Sequence, residues 1–410
     1  MGRILDRLYN KETGRVNFDF FETDRDFSEF QENLKTQGFH SQWHNEGAAI
    51  VHMKNVHDEM CKLCDKYDIT GDERMVLVVA SFLHDIGKAV TGELKEDGNW
   101  SFPNHAPKGG RIVRNLLWNE DIGIRESIVF FVRNHMKPSY IINSSNKERD
   151  MLKLAYETPF MPHLTTMRNL YLIKLADYRG CNRNPDAEDD TEEALDFFKA
   201  LSIDLRIWDS KIHSNDKYQI NSGLDLFRYF NENTGDILPT TQYDDTEFNV
   251  YIMCGISGSG KSTFIQNNEV LKSLPIVSRD ITRQNLGIIK YDGNKALGTK
   301  KQEKEVTKIN DSLMAEHFKN KQSFVIDEMN IRKEYREKTI SNIRKHNGKP
   351  ILIYIEAPSL DEIFKRRESE ISKKVLREMR DYMAFPIPME TAELWIAKQG
   401  KELIKVPEFV

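Results

Sequence analysis

Residues 250–263 read Val-Tyr-Ile-Met-Cys-Gly-Ile-Ser-Gly-Ser-Gly-Lys-Ser-Thr, an apolar run followed by a glycine-rich loop that ends in lysine and serine. The spacing is Gly255-x-x-x-x-Gly260-Lys261-Ser262. Glycines let the backbone come close to a bulky, charged phosphate chain and adopt the unusual dihedral angles that this requires. Because strand patterning precedes the loop and helix patterning follows it, the stretch predicts a binding loop for the phosphates of a nucleoside triphosphate.

The parts of this loop have distinct predicted roles. Its N–H groups and the N-terminus of the following helix should point at the phosphates. Lys261 is predicted to bridge the β- and γ-phosphates in catalysis, and Ser262 to hold Mg²⁺, so we expect Mg²⁺ with ATP or another NTP. The predicted nucleotide-binding residues are Gly255, Ser257, Gly258, Ser259, Gly260, Lys261, Ser262 and Thr263.

Length and composition indicate a multidomain globular protein. The chain has 410 residues, 39% hydrophobic and 30% charged, which predicts two or three domains. It has no apolar run of the ~18 residues that a membrane span needs, and its start lacks an apolar signal core. Four cysteines fit a reducing compartment. We therefore expect a cytoplasmic protein without a membrane partner.

Charge is distributed unevenly along the chain. Residues 1–245 hold 30 Lys and Arg against 41 Asp and Glu, a net charge of −11, whereas residues 246–410 hold 29 against 23, a net charge of +6. A basic C-terminal half suits an anionic acceptor such as a nucleic acid or a nucleotide. Solvated lysine-rich helices would give the same asymmetry.

The run from Met75 to Lys88 is apolar on nearly every side and predicts a buried helix. His84 and Asp85 lie in this run. Burying an ionisable pair costs several kcal/mol unless the pair is compensated or coordinates a metal. Imidazole and carboxylate together suit a divalent transition metal.

Further histidines and one aspartate lie in or beside apolar helical segments: His52, His105, His135 and Asp177. This order, with one His, then His-Asp, then two single His and an Asp, resembles the HD phosphohydrolase superfamily. The flanking runs His44–Gly47 and Leu175–Gly180 resemble the HD domains fused to bacterial tRNA nucleotidyltransferases, which act on 2′,3′-cyclic phosphates and 2′-phosphates.

The resemblance implies a transition-metal site in this half. It implies one metal held by His52, His84, Asp85 and Asp177, with Asp85 also catalytic, and a second metal position at His105 and His135. An ion such as Mn, Ni, Co, Fe or Zn would lower the pKa of a bound water and offset charge on phosphoryl oxygens. Lys88 and Arg179 either contact the substrate phosphate or are surface cations.

After the glycine loop, Ile276–Ser278 predicts a short buried strand with Asp280 just beyond its carboxyl end, where ligands lie in open α/β sheets. A hydroxyl nucleophile needs a base, and Asp280 is predicted to be that base. Arg283, one helical turn later, is predicted to clamp a phosphate of the acceptor. In the alternative interpretation, Asp280 is a helix N-cap and Arg283 a surface residue.

The glycine loop followed by Arg-Asp-x-x-Arg resembles the phage and bacterial 5′-hydroxyl polynucleotide kinases. The resemblance implies that Asp280 is the general base and that Arg283 contacts the acceptor's 3′-phosphate. Asp327-Glu328-Met329-Asn330 resembles the Asp-x-x-Asn of these kinases, with Asp327 positioning Mg²⁺ through water. In the family, the segment matching Asp361–Arg367 is a lid, so Arg366 and Arg367 would stabilise the transferring phosphoryl group, unless they lie on a solvated helix face.

The predicted architecture is an all-α, HD-type helical domain over residues 1–240, with an N-terminal extension, followed by an α/β P-loop kinase domain with a mainly parallel sheet over residues 241–410. The boundary lies in the turn-rich stretch Asn231–Asp245. The order resembles the bacterial HD-Pnk enzymes, which heal both ends of broken RNA.

That resemblance implies RNA end repair, with RNA or DNA ends, an NTP and an RNA ligase as partners. Two alternatives remain at this point. One is a small-molecule or nucleoside kinase fused to a nucleotide phosphohydrolase. The other is a kinase beside a non-catalytic, metal-braced RNA-binding HD module.

Overall fold

The computed structural model describes residues 3–41, 44–157, 163–182, 190–209, 220–232, 244–288, 291–292, 295–296, 298–367, 371–398 and 402–406. The chain forms two compact units, Met1–Ile212 and His213–Val410. Within the described ranges, no helix has the length and apolar character needed to cross a membrane.

The first unit is mainly helical, as predicted. Its helices are α1 (Leu5–Leu8), α2 (Phe18–Thr23), α3 (Ser28–Thr36), α4 (Ala49–Lys66), α5 (Gly71–Leu83), α6 (Lys88–Thr91), α7 (His105–Leu116), α8 (Ile122–Asn134), α9 (Lys137–Tyr140), α10 (Lys147–Ala155), α11 (Met167–Gly180) and α12 (Thr191–Asp204), with a 3₁₀ turn at Ile141–Asn143. Short antiparallel ribbons pair β1 (Tyr9–Asn10) with β2 (Arg15–Val16), β3 (Gly38–Ser41) with β4 (His44–Ala48), and β5 (Glu93–Leu94) with β6 (Trp100–Ser101).

Helix α5 forms the centre of this unit. Its residues from Val76 to Leu83 are all buried, which confirms the prediction of a helix that is apolar all round. The helix contacts α4, which contains His52, α11, which contains Asp177, and α8, which His135 follows directly. The N-terminal extension of 40 residues contains α1–α3, and the ring centroid of Phe21 lies 4.9 Å from that of Phe82 on α5.

The second unit contains an α/β sheet. Its elements are α13 (Gly223–Asn231), β7 (Phe248–Cys254), α14 (Lys261–Asn267), β8 (Ile276–Val277), α15 (Arg279–Asn285), β9 (Tyr291–Asp292), β10 (Lys295–Ala296), α16 (Lys300–Lys319), β11 (Phe324–Ile326), α17 (Lys333–Arg344), β12 (Gly348–Ile355), α18 (Leu360–Arg367), α19 (Lys373–Asp381), β13 (Glu393–Lys398) and β14 (Glu402–Val406), with 3₁₀ turns at Leu271–Ser273 and Pro388–Glu390. The six-stranded order is β14-β13-β12-β7-β11-β8. All pairings in it are parallel except that of β14 with β13.

The carboxyl ends of the parallel strands position the candidate residues of this unit. Strand β7 leads into the glycine loop, β8 into the helix that contains Asp280, and β11 into Asp327. Because β7, β11 and β8 are neighbours in the sheet, these three segments meet at one edge. The mainly parallel sheet predicted from the sequence is therefore confirmed.

The division between the units differs from the predicted boundary near residue 240. Helix α13 lies in the second unit, where Asn231 Nδ2 donates 2.7 Å to Met389 O. Arg344 Nε also donates 2.7 Å to Glu232 Oε1 at the end of that helix. The turn-rich composition after α13 indicated a linker, but the side-chain contacts of α13 join it to the second unit.

Candidate metal and phosphate sites

The first unit brings the predicted histidines and aspartates together at the centre of its helices. His52 lies on α4, His84 and Asp85 follow α5 directly, His105 begins α7, His135 follows α8 directly, and Asp177 lies on α11. All are buried except His105, whose side chain is 16% exposed. We refer to these six residues as the cage.

Asp85 lies in the middle of the cage. Its Oδ1 is 3.3 Å from His105 Nε2 and 3.8 Å from His135 Nε2, while its Oδ2 is 3.2 Å from His84 Nε2 and 3.6 Å from His52 Nε2. Asp177 Oδ1 lies 3.0 Å from His52 Nε2. In each of several three-residue groups drawn from the cage, the potential ligand atoms lie within 4.8 Å of one another.

Backbone carbonyls orient three of the rings. The Nδ1 atoms of His84, His105 and His135 lie 2.7, 2.9 and 2.9 Å from the carbonyl oxygens of Ser81, Phe102 and Val132. A carbonyl can only accept, so each Nδ1 carries a proton and donates it. In the neutral imidazole, the Nε2 lone pair then faces the cage, as in histidines that ligate metals.

Two local backbone features allow His105, at the start of α7, to lie close to the His84-Asp85 turn. Asn104, immediately before His105, has a left-handed backbone with φ 55°, which asparagine tolerates better than most residues. At Gly87, a Cβ atom would lie 2.0 Å from His105 O, so only glycine fits between the His84-Asp85 turn and the start of α7.

The cage fits a divalent cation chemically. His105 Nε2 and His135 Nε2 are 3.3 Å apart, and burial lowers the pKa of both imidazoles, so two lone pairs face each other. Such lone pairs repel unless a proton or a cation lies between them. Among the described residues, His84 Nε2 and Asp85 Oδ1 are buried without a hydrogen bond. Imidazole nitrogens with carboxylate oxygens are the donors that first-row transition metals accept.

Two lysines offset the negative charge of the cage carboxylates. Lys88 Nζ lies 2.5 Å from Asp85 Oδ2, and Lys174 Nζ lies 2.7 Å from Asp177 Oδ2. Burial opposes the charge of both carboxylates, but the neighbouring cations outweigh it and hold the pKa of Asp85 and of Asp177 well below the usual range. Burial likewise opposes the charge of His84, but Asp85 and Asp177 raise its pKa to about 9.

These lysines refine the sequence interpretation. Lys88 is 6% exposed, so it is not a surface cation, whereas Arg179 is exposed. Lys174 was not predicted from the sequence, although its position three residues before Asp177 on one helix indicates that the two side chains can pair.

A cavity of about 340 Å³ opens onto the cage. It is lined by His52, Asp85, Lys88, Asn99, Trp100, Ser101, Phe102, His105, His135, Met136, Lys174, Asp177 and Cys181. Cys181, which was not predicted as a ligand, forms a group of potential ligands with His52 and Asp177.

In the second unit, the glycine loop adopts a conformation that side chains disfavour. Gly258 and Gly260 have φ angles of 80° and 101°. A Cβ atom at Gly255 would lie 2.9 Å from Ile355 O, so this glycine is needed for packing against β12. Lys261 Nζ donates 3.0 Å to Gly255 O and 3.1 Å to Ile256 O, which holds its ammonium group over the loop.

The segment after β11 is tied to the glycine loop. Ser262 Oγ donates 2.8 Å to Asp327 Oδ2. Asn330 has a left-handed backbone with φ 46°, and its Nδ2 donates 2.8 Å to Met253 O on β7. Arg336, which is fully buried, donates 3.0 Å to Asn330 O and pairs with Glu390. Hydrogen bonds therefore hold the Asp-x-x-Asn segment at both its first residue, Asp327, and its last, Asn330.

Asp280 and Arg283 lie on α15, and Arg283 Nη1 donates 2.8 Å to Asp280 Oδ1. Glu303 on α16 accepts two further hydrogen bonds from Arg283, of 2.9 and 2.8 Å, and one of 2.7 Å from Arg279. The hydrogen bond from Arg283 is the main cause that lowers the pKa of Glu303 to about 2. Glu303 was not predicted from the sequence, and Arg279, the first residue of the Arg-Asp-x-x-Arg motif, was given no role there.

A cavity of about 830 Å³ collects most of the predicted kinase residues. It is lined among others by Ser257, Gly258, Gly260, Lys261, Ser262, Thr263, Asp280, Arg283, Asp327 and Arg366. A second cavity of about 500 Å³ shares Ser262, Asp280, Arg283 and Asp327 with it. Gly255 and Ser259 line neither cavity, and the side chain of Arg367 lies outside the described part of the chain.

Comparisons with known proteins agree with this division. Residues 50–180 match the HD domain family and residues 250–386 match a family described as AAA domain. The first unit thus contains a match to the HD domain family, and the second unit contains a match to the AAA domain family. No curated protein matches it. Among solved structures, "a putative kinase from Chloroflexus aurantiacus J-10-fl" is 18% identical, and the match covers 38% of this chain and 87% of that one with a TM-score of 0.31.

Proposed function

We propose that this chain heals both ends of broken RNA. The kinase unit would transfer the γ-phosphate of an NTP to a 5′-hydroxyl end. The HD unit would open a 2′,3′-cyclic phosphate and remove the remaining 2′- or 3′-phosphate. The observation that carries the proposal is the presence, in one chain, of a phosphate-binding loop beside Asp280 and Arg283 and of a His/Asp cage.

In the kinase unit, we assign a role to each of the candidate site residues. Lys261 and the loop N–H groups would bind the β- and γ-phosphates, and Ser262 with Asp327 would hold Mg²⁺ directly or through water. Asp280 would accept the proton of the attacking hydroxyl. Arg366, on the wall of the same cavity, would stabilise charge on the transferring group, and we assign Arg367 to the same lid.

In the HD unit, His52, His84, Asp85 and Asp177 would hold one metal ion, with His105 and His135 at a second position. The chemistry that such an ion supplies when bound is a water of lowered pKa and an electrophile for phosphoryl oxygens. The chain's own contribution is to orient the imidazole rings through their Nδ1 atoms. Lys88 and Lys174 would hold positive charge at the wall where the phosphate enters.

A polynucleotide acceptor is favoured by the kinase site. Arg283 would bind the 3′-phosphate of the first acceptor nucleotide, a group that a free nucleoside lacks. The net charge of +6 over residues 246–410 suits a polyanion. RNA is favoured over DNA because only RNA can form a 2′,3′-cyclic end. The products, a 5′-phosphate and a 3′-hydroxyl, are the ends that an RNA ligase joins, and we expect this repair in the cytoplasm.

The kinase assignment is tested by transfer of labelled phosphate from γ-labelled ATP to a 5′-hydroxyl oligoribonucleotide. Asp280→Asn should abolish transfer, whereas Asp311→Asn, at an exposed position on α16, should not affect it. Faster phosphorylation of a free nucleoside than of the oligonucleotide would instead identify a small-molecule kinase.

The HD assignment is tested by phosphate release from an oligoribonucleotide with a 2′,3′-cyclic end in the presence of Mn²⁺. Asp85→Asn should abolish release and leave kinase activity intact, with the exposed Asp72→Asn as the matched control. A wild-type protein that binds metal and RNA without releasing phosphate would identify a non-catalytic HD module.

A further inference from the structure

A β-hairpin between α6 and α7 forms one wall of the cage cavity. Strands β5 and β6 pair Glu93 with Ser101 and Leu94 with Trp100, and the chain turns at Gly98, whose φ is 81°. The returning segment, residues 99–102, faces the cavity. The hairpin therefore brings a non-helical surface to the metal-binding centre of a helical domain.

This surface is aromatic. The rings of Trp100 and Phe102 are near parallel, with 19° between their planes and 6.4 Å between their centroids. Residues two apart on an extended segment project to the same side, so both rings lie on one side of this segment, and we refer to them as the aromatic face. Both side chains are only partly buried, and both line the cavity.

The aromatic face is continuous with the cage. Phe102 O accepts the hydrogen bond of 2.9 Å from His105 Nδ1, so the segment that contributes the ring also orients a cage histidine. Lys88 Nζ lies 5.5 Å from the centroid of Phe102 and 2.5 Å from Asp85 Oδ2. A molecule whose phosphate reaches the cage would thus have its neighbouring group against Trp100 and Phe102.

We propose that Trp100 and Phe102 stack against the base of the terminal nucleotide whose phosphate is hydrolysed at the cage. This inference rests on the proposed function of the HD unit and adds a recognition site to it. Stacking of a base on an aromatic side chain tolerates any sequence because every base has a π-face. It suits an enzyme that accepts broken ends irrespective of the terminal base, and the cavity of about 340 Å³ is within the range of small-ligand sites.

The test compares two substrates that differ only in the base. One is a nucleoside 2′,3′-cyclic phosphate, and the other is ribose 2′,3′-cyclic phosphate without a base. In the Mn²⁺-loaded full-length protein, Trp100→Ala should lower kcat/KM for the nucleoside substrate on the order of 10- to 100-fold, the loss expected for one stacked base. The same variant should change kcat/KM for the base-free substrate by less than about twofold. Trp100→Phe, which keeps a flat ring, should retain most of the activity on the nucleoside.

Leu94→Ala is the matched control, because Leu94 pairs with Trp100 in the hairpin but is 62% exposed and does not line the cavity. Calorimetric binding of the nucleoside 2′-monophosphate product should weaken in parallel in Trp100→Ala but not in Leu94→Ala. Equal losses on both substrates, or no loss on the nucleoside, would overturn the inference while leaving the hydrolase assignment intact. A wild-type protein that hydrolyses neither substrate would overturn both.

Discussion

Ser262 Oγ donates a hydrogen bond of 2.8 Å to Asp327 Oδ2 across 65 residues of sequence. The two residues meet because β7 and β11 are adjacent and parallel, so the loops that follow them lie at the same edge of the sheet. A hydroxyl and a carboxylate at the phosphate loop are the groups that P-loop kinases use to hold Mg²⁺. This pair connects the glycine loop to the Asp-x-x-Asn segment. We expect its disruption to change the Mg²⁺ requirement of phosphoryl transfer more than the stability of the fold.

Asp327→Asn should lower kcat/KM for phosphoryl transfer by roughly 10- to 100-fold, as expected when a residue that supports a metal ion loses its charge. The Mg²⁺ concentration needed for half-maximal rate should rise at the same time. Both are measured by end-labelling over a Mg²⁺ titration, with the exposed Asp311→Asn as the control. An unchanged Mg²⁺ requirement would contradict the role assigned to Asp327.

Glu303 holds Arg279 and Arg283 by charge-assisted hydrogen bonds, and removal of its charge should leave Arg283 without its bidentate partner. We expect Glu303→Gln to raise KM for the oligonucleotide roughly tenfold, with a smaller effect on KM for ATP. Steady-state kinetics with each substrate varied in turn measures this difference. Glu305→Gln, at an exposed position on the same helix, should match the wild type, and equal changes in both KM values would argue against a positioning role on the acceptor side.

Glu303 also predicts a pH dependence of stability. Its hydrogen bonds with Arg283 lower its pKa from an ordinary 4.5 to about 2 in the folded state. A depressed carboxyl pKa stabilises the fold above pH 4.5, and this contribution is lost as pH falls from about 4.5 towards 2. The wild type should therefore melt at a higher temperature than Glu303→Gln at pH 7, and the gap should narrow between pH 5 and pH 3. A gap that stays constant over this range would exclude the predicted linkage.

Lys174 is expected to make the metal-free HD unit stable. Its ammonium group compensates the buried Asp177, and loss of one partner of a buried ion pair costs about 3–5 kcal/mol. Lys174→Met should therefore melt at a clearly lower temperature than the wild type after chelator treatment. Added Mn²⁺ should raise the melting temperature more in this variant than in the wild type, because the ion replaces the missing charge.

Thermal unfolding of the full-length protein with and without Mn²⁺ measures both effects. Lys153→Met, at an exposed position on α10, serves as the control for loss of a lysine in the same unit. A Lys174→Met protein as stable as the wild type without metal would show that Asp177 does not need this partner.

The parts of the two sites that follow from local sequence could be predicted. The glycine loop is a continuous motif, and the His84-Asp85 pair stands out because it directly follows the apolar residues that form α5. Glu303 could not be found in this way, because α16 contains many Lys and Glu residues and only the packing of α15 on α16 brings one of them to Arg283. Trp100 and Phe102 could not be predicted as cavity residues, because they lie in and beside a short hairpin between helices. Such a hairpin has no helical periodicity that would indicate which side chains face the cage.

The domain boundary was missed for a related reason. Turn-forming residues after α13 indicate where a linker is permitted, but they do not indicate which unit the preceding helix packs against. That choice depends on contacts such as Asn231 with Met389, which are more than 150 residues apart and leave no local pattern in the sequence.

The most direct test of the whole account uses one RNA oligonucleotide that has a 5′-hydroxyl and a 2′,3′-cyclic phosphate, incubated with ATP, Mg²⁺ and Mn²⁺ and analysed by mass spectrometry. The wild type should yield RNA with a 5′-phosphate and free 2′- and 3′-hydroxyls. Asp85→Asn should alter only the 5′ end and Asp280→Asn only the 3′ end. If the wild type leaves either end of the RNA unchanged, or if each variant loses both reactions, the chain is not an enzyme with two separate end-healing sites.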